Sequence, residues 1–202
     1  MLGSITPLGE RGRNRRWGVT VGAYLVGSTL AGALIGASLG ELGRVLPAPD
    51  GRGIAVRLGV LAVAAAAGLA SDLGLAGLRL PTIGRQVNQD WIGRYRGWVV
   101  GLGFGFQLGL GVATIVTTST VYVMLVAAFL SGGPAGGALI AGTFGLLRAA
   151  VLLSVAGVKR PEQLGRVDAL LRRWDRRTRQ AALASAGALT VALAAGAVRW
   201  GS

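Results

Sequence analysis

Three polar side chains lie deep in long apolar runs of this chain: Asp72, Gln107 and Arg148. A charge in the hydrocarbon of a bilayer costs ~2.5–3.5 kcal/mol even on the gentler insertion scales, so each needs a partner, an aqueous cavity or a route to the headgroups. Counted from the basic ends of their runs, Gln107 and Arg148 lie about ten residues in, roughly 15 Å at helical rise, and Asp72 about six. An Asp72–Arg148 pair bridged by Gln107 would neutralise both charges and pin three helices together. Two readings of that set stand side by side. In one the pair is packing glue, or its members reach toward the inner surface. In the other Arg148 binds an anion or gates a path, with Asp72 as counter-ion or proton acceptor, which suits transport of a small anion. Hydroxyls extend the polar set through Thr114, Thr117, Thr118, Ser119, Thr120 and Tyr122. Thr114, Thr117 and Thr118 share a helical face and could line a polar path continuing from Gln107. Alternatively they bond helix carbonyls and bend or join helices. The candidate substrate-binding residues are therefore Arg148, Gln107, Asp72, Thr114, Thr117 and Thr118.

Other chemistries are closed off. The chain has no cysteine and no histidine, which removes disulfides, thiol redox chemistry and the commonest zinc, haem and copper ligands. No convergent set of acids, bases or metal ligands is visible, so the reading is no enzyme, no cofactor, and neither a catalytic nor a metal site. The glycines of GLGFGFQLGLG, at Gly101, Gly103, Gly105, Gly109 and Gly111, mimic a nucleotide loop but lack the strand and phosphate-loop context it requires. Small residues at such spacing let membrane helices approach closely.

The elements that must position these residues follow from composition. Of 202 residues, 52% are apolar and only 14% charged, with 35 glycines, so the apolar residues gather in runs long enough to cross a bilayer. The expected fold is all-α, one polytopic membrane helical bundle over 1–202 with five transmembrane helices, six being the alternative. The spans run over about 17–42, 54–78, 98–130, 138–158 and 181–198. Pro47, Pro49, Asp50 and Gly51 mark the first boundary, and a polar linker over 79–96 with interfacial Trp91 and Tyr95 marks the second. From Trp98 to Leu130 the chain carries no charge. Two helices there would need a turn near Thr117–Thr120, where no glycine, proline or charge lies, so one long tilted or kinked helix is preferred. The SGGPAGG stretch from Ser131 to Gly137 then turns the chain.

Arginine placement selects among the counts, because cytoplasmic loops carry the basic residues. With an inside N-terminus, five spans put Arg11, Arg13, Arg15, Arg16, Arg79, Arg85, Arg94, Arg96 and the basic stretch 159–179 inside. Only Arg44, Arg52 and Arg199 fall outside. Six spans would move 159–179 out. The first apolar run follows the N-terminal arginines and is too long for a signal peptide, so it is expected to act as an uncleaved insertion signal. Residues 161–179 place Leu164, Val167, Leu171 and Trp174 on one face behind Pro161, which reads as an amphipathic helix on the cytoplasmic membrane surface, in contact with lipid or with an acidic partner. The net charge of +13 thus belongs to membrane boundaries and not to nucleic acid. Arginine dominance over lysine and the Ala/Gly/Val/Leu bias point to a high-GC bacterial gene, hence a multi-pass protein of the bacterial inner membrane. A weak internal repeat pairs Arg13, Arg15 and Trp17 with Arg94, Arg96 and Trp98; transporters are often built from such halves.

The glycine-interrupted GLGFGFQLGLG, the small-residue break ATIVTTST and the turn SGGPAGG carry a resemblance across residues 102–158. That stretch resembles the second half of the membrane-embedded thiol-disulfide reductases of cytochrome c maturation, within a wider group that includes small exporters. Where those reductases have a proline-cysteine element, this chain has ATIVTTST. The resemblance therefore implies a reduced transporter-like scaffold or a partner subunit without cysteine electron transfer, and no catalytic residue carries over. Beyond the bilayer, the expected partners are a small polar or anionic solute, moved or bound near Gln107 and Arg148, or a partner membrane protein recruited by the basic cytoplasmic face.

Overall fold

The computed structural model describes residues 7–46, 50–75, 95–110, 119–156 and 161–201, with the backbone alone over 161–179. Every regular element among these residues is helical: α1 (Pro7–Gly12), α2 (Trp17–Leu42), α3 (Gly51–Asp72), α4 (Gly97–Gly109), α5 (Thr120–Leu130), α6 (Pro134–Ala150) and α7 (Pro161–Gly201). Local chemistry sets several ends. Asn14 adopts φ 55° between α1 and α2, a left-handed conformation that Asn tolerates better than most residues. Asp50 caps α3 by accepting from the Gly53 amide at 2.6 Å. Gly74, at φ 72°, closes that helix, as glycine does after a C-cap. Between α5 and α6 the turn takes only three residues, because Gly132 adopts φ 65° and Pro134 opens the next helix with its φ already helical. Gly136 and Gly137, read from sequence as part of the turn, lie inside α6.

Trp17–Val45, Gly51–Asp72, Pro134–Ser154 and Gln180–Trp200 are, among the described residues, long and apolar enough to cross a membrane. The uncharged run 98–130 holds α4 and the short apolar α5; residues 111–118 between them, on which the choice between one helix and two depends, lie outside the described residues. The linker over 79–96 is described only from Tyr95 onward. The basic segment 161–179 and the apolar one after it form a single continuous helix, α7.

The chain divides into two units, one of 1–34, 84–115 and 142–176, the other of 35–83, 116–141 and 177–202. In the first, α2 and α4 run parallel and touch backbone to backbone. A Cβ added at Gly101, Gly105 or Gly109 would run into the carbonyl oxygen of Thr20, Tyr24 or Ser28. These glycines recur every fourth residue, so one stripe of α4 has no side chain and the two helices close on it. The core beside this contact comprises Val21, Tyr24, Val100, Phe104, Ala149 and Leu152. The N-terminal part of α2 also meets α6 in antiparallel fashion, where Ser28 Oγ donates to the Gly145 carbonyl at 2.8 Å. In the second unit α3 runs antiparallel to α5 and, through Leu58 near Gly196 and Leu69 near Gly187, to the C-terminal part of α7.

Candidate functional site

Arg148 lies on α6 in the first unit. The antiparallel contact of Ser28 with Gly145 brings it, one helical turn on, to the level of Tyr24. Seven residues separate Trp17 from Tyr24, so the guanidinium lies roughly 10 Å in from the start of α2 at 1.5 Å per residue. Its Nη1 is buried and has no hydrogen-bond partner among the described residues. Buried polar groups are almost always satisfied, and a charged donor more than most, so an orphaned arginine nitrogen marks a place for an acceptor. Gln107, half-buried on α4, is seven residues from Val100 and three from Phe104, and so shares the stripe that packs toward Ala149 and Leu152. No hydrogen bond joins it to Arg148 among the described residues.

Asp72 belongs to the second unit and does something different. Its carboxylate accepts from Ser119 three times over, from the hydroxyl at 2.7 Å and from the amide at 3.1 and 3.4 Å. Ser119 immediately precedes α5, so a negative group sits at the positive end of that helix. At the other end Arg57, from the first half of α3, donates to the Leu130 carbonyl at 3.2 Å. Both ends of α5 are therefore matched by charges on α3. Thr114, Thr117 and Thr118, the remaining candidates, lie outside the described residues.

Sequence comparison gives this geometry a context. The chain is 31% identical to methylamine utilization protein MauF of Methylophilus methylotrophus over 199 residues, which is 98% of this chain and 67% of that protein. The chain belongs to the MauF family. Two further MauF proteins align at 32% identity, that of Paracoccus versutus over 81% of this chain and 62% of its own length, and that of Paracoccus denitrificans over 96% and 68%. The chain thus spans about two thirds of the length of these relatives. No family model matches it, and no solved structure matches it significantly.

Sequence reasoning missed several residues that matter in this MauF-family chain. Arg57 lies in the second apolar run, but close to its start, where a charge reads as a boundary. Glu10 is buried in α1 and accepts from Thr20 Oγ1 at 2.6 Å and from Arg13 at 3.2 Å. An acid among arginines just before a span was the available signal. Ser119 stands in the hydroxyl set read from the sequence, but its partner, like the place of Tyr24, comes from which helices adjoin.

Proposed function

We propose that this chain is a membrane component of methylamine utilization that presents Arg148 to a small anionic or strongly polar group, binding or moving it without catalysing a reaction. The observation behind this reading is the buried Arg148 Nη1 with no partner among the described residues. Membership of the MauF family supplies the process, and the four long apolar helices supply the setting. Methylammonium itself is a poor ligand for this position, because like charges repel strongly where water is scarce. The group held there is an anion or a carbonyl-bearing solute. The resemblance to small exporters over 102–158 supports movement of that group across the bacterial inner membrane, with the N-terminus inside.

The test is complementation in a bacterium that grows on methylamine and lacks its own copy of the gene. Arg148→Ala is expected to abolish growth on methylamine while the protein persists in the membrane at the wild-type level, and Arg148→Lys to restore part of it. Loss of the protein together with growth, in the alanine and lysine variants alike, would make Arg148 packing glue and sink the reading.

A second reading, a subunit that recruits a partner membrane protein, is favoured by one observation. None of the Gln180–Trp200 window is buried within the chain, and Leu189, Val191, Val198 and Trp200 are exposed along it. Lipid covers such a face equally well, so co-purification after crosslinking from Leu189 separates the two.

A further inference from the structure

Leu164, Val167, Leu171 and Trp174 stand at alternating spacings of three and four residues, the a and d positions of a heptad. Because α7 is one continuous helix, the same register carries on into its apolar half through Thr178, Ala181, Ser185, Ala188, Ala192 and Ala195. It meets no charge over these residues, whereas each of the other six heptad registers meets one between Pro161 and Gln180. In the apolar half the seam is bare. Ala181, Ser185, Ala188, Ala192 and Ala195 are all exposed, while a different face, with Gly187 and Gly196, packs on α3. The Ser185 hydroxyl donates to the Ala182 carbonyl at 2.9 Å, so it adds no unsatisfied donor to the seam.

The course of the helix decides what covers this seam. Gln180–Trp200 is long and apolar enough to cross a membrane by itself. Residues 161–179 therefore add roughly 28 Å of helix beyond the span, without the break that a helix lying along the membrane surface needs. Lipid cannot follow the seam that far. A protein occupant has to meet small residues inside the hydrocarbon, where they let backbones approach closely, and larger apolar ones outside it. A second α7 running parallel matches the seam level by level, because a symmetric pair sets each a or d residue opposite its own copy. The charges agree. In a parallel pair each g position lies opposite the e position of the partner's next heptad, so Gln163 meets Asp168, Leu170 meets Asp175 and Arg177 meets Ala182, with no like charges opposed. The other charged residues from Glu162 to Arg179 fall at b, c and f, away from the contact. From Leu164 to Ala195 the seam is about 48 Å long, and two strips about 10 Å wide make roughly 1,000 Å² in all, the size from which interfaces are specific. We infer that α7 pairs in parallel with the α7 of a second copy of this chain. The pairing is independent of what Arg148 holds.

The absence of cysteine allows a direct test by oxidative crosslinking of the full chain in membranes. Thr178→Cys and Ala188→Cys are expected to give a covalent dimer, and Ala194→Cys, exposed but at a c position, to give none. Adding Ala188→Phe to Thr178→Cys should lower the dimer yield about fivefold or more, the effect of overpacking a close contact. Equal yields from Ala188→Cys and Ala194→Cys would mean chance collision and overturn the inference. So would the lack of a dimer from either seam position, as expected if lipid alone covers the helix, or a crosslink to a different protein in place of the dimer.

Discussion

Among the described residues, Asp72 is satisfied by hydrogen bonds and makes no ion pair. Among the described residues its hydrogen bonds all come from Ser119, whose hydroxyl and amide both donate. A hydrogen bond to a charged group contributes about 1.5–3 kcal/mol. Ser119→Ala should therefore lower the unfolding free energy in detergent by about that amount. Asp72→Ala should cost at least as much, and the double variant little more than Asp72→Ala alone, because both remove the same interaction. Additive losses in that cycle would mean Asp72 has a second partner. At this scale the sequence revealed which residues were expensive, since Asp72 and Arg148 interrupt apolar runs. It could not reveal their partners, because Asp72 and Ser119 are brought together by packing across a long sequence separation. Arg57 escaped notice for a related reason: its depth only has meaning once Leu130 is known to lie beside it.

The elements were more legible, since length and hydropathy decide whether a segment can be a membrane helix, and α2, α3 and the apolar part of α7 are written in long, mostly apolar runs. Helix pairing was legible in part. The spacing of Gly101, Gly105 and Gly109 marked a close-packing face, while its partner, the Thr20, Tyr24 and Ser28 stripe of α2, has no comparable pattern. This pairing makes a sharp contrast between glycines. Gly105→Ala adds a methyl against the Tyr24 carbonyl and should destabilise by about 1–3 kcal/mol, the usual cost of overpacking. Gly22→Ala meets nothing within 4 Å, so it should be neutral or gain up to about 1 kcal/mol from helix propensity. Thermal unfolding of the two variants in the same micelle checks both; similar melting temperatures would mean that α2 and α4 do not touch through their backbones.

For the whole molecule, the distribution of arginines is the main guide to topology, and the first unit agrees with one part of it. The basic approaches to α2 and α4, assigned to one side of the membrane by charge, meet where Arg15 binds the Tyr95 carbonyl. The absence of cysteine makes the rest measurable. Single cysteines at Asn14 and Ala169 should resist a membrane-impermeant thiol reagent in intact cells, and one at Ser131 should react. Labelling at Ala169 would mean that the chain crosses the membrane once more between Trp98 and Leu130.

The matched ends of α5 bear on how the chain is made. As described, α5 has 11 residues, about half of what a bilayer crossing takes. It is also translated well after α3. With Asp72 set at its N-terminal amide and Arg57 at its last carbonyl, α3 offers α5 a template charged at both ends. A template with opposite charges at its two ends accepts the newcomer in one orientation only. The reversed one would set the carboxylate against carbonyls and the guanidinium against amides. The two charges on α3 thus favour the observed direction of α5 over the reverse.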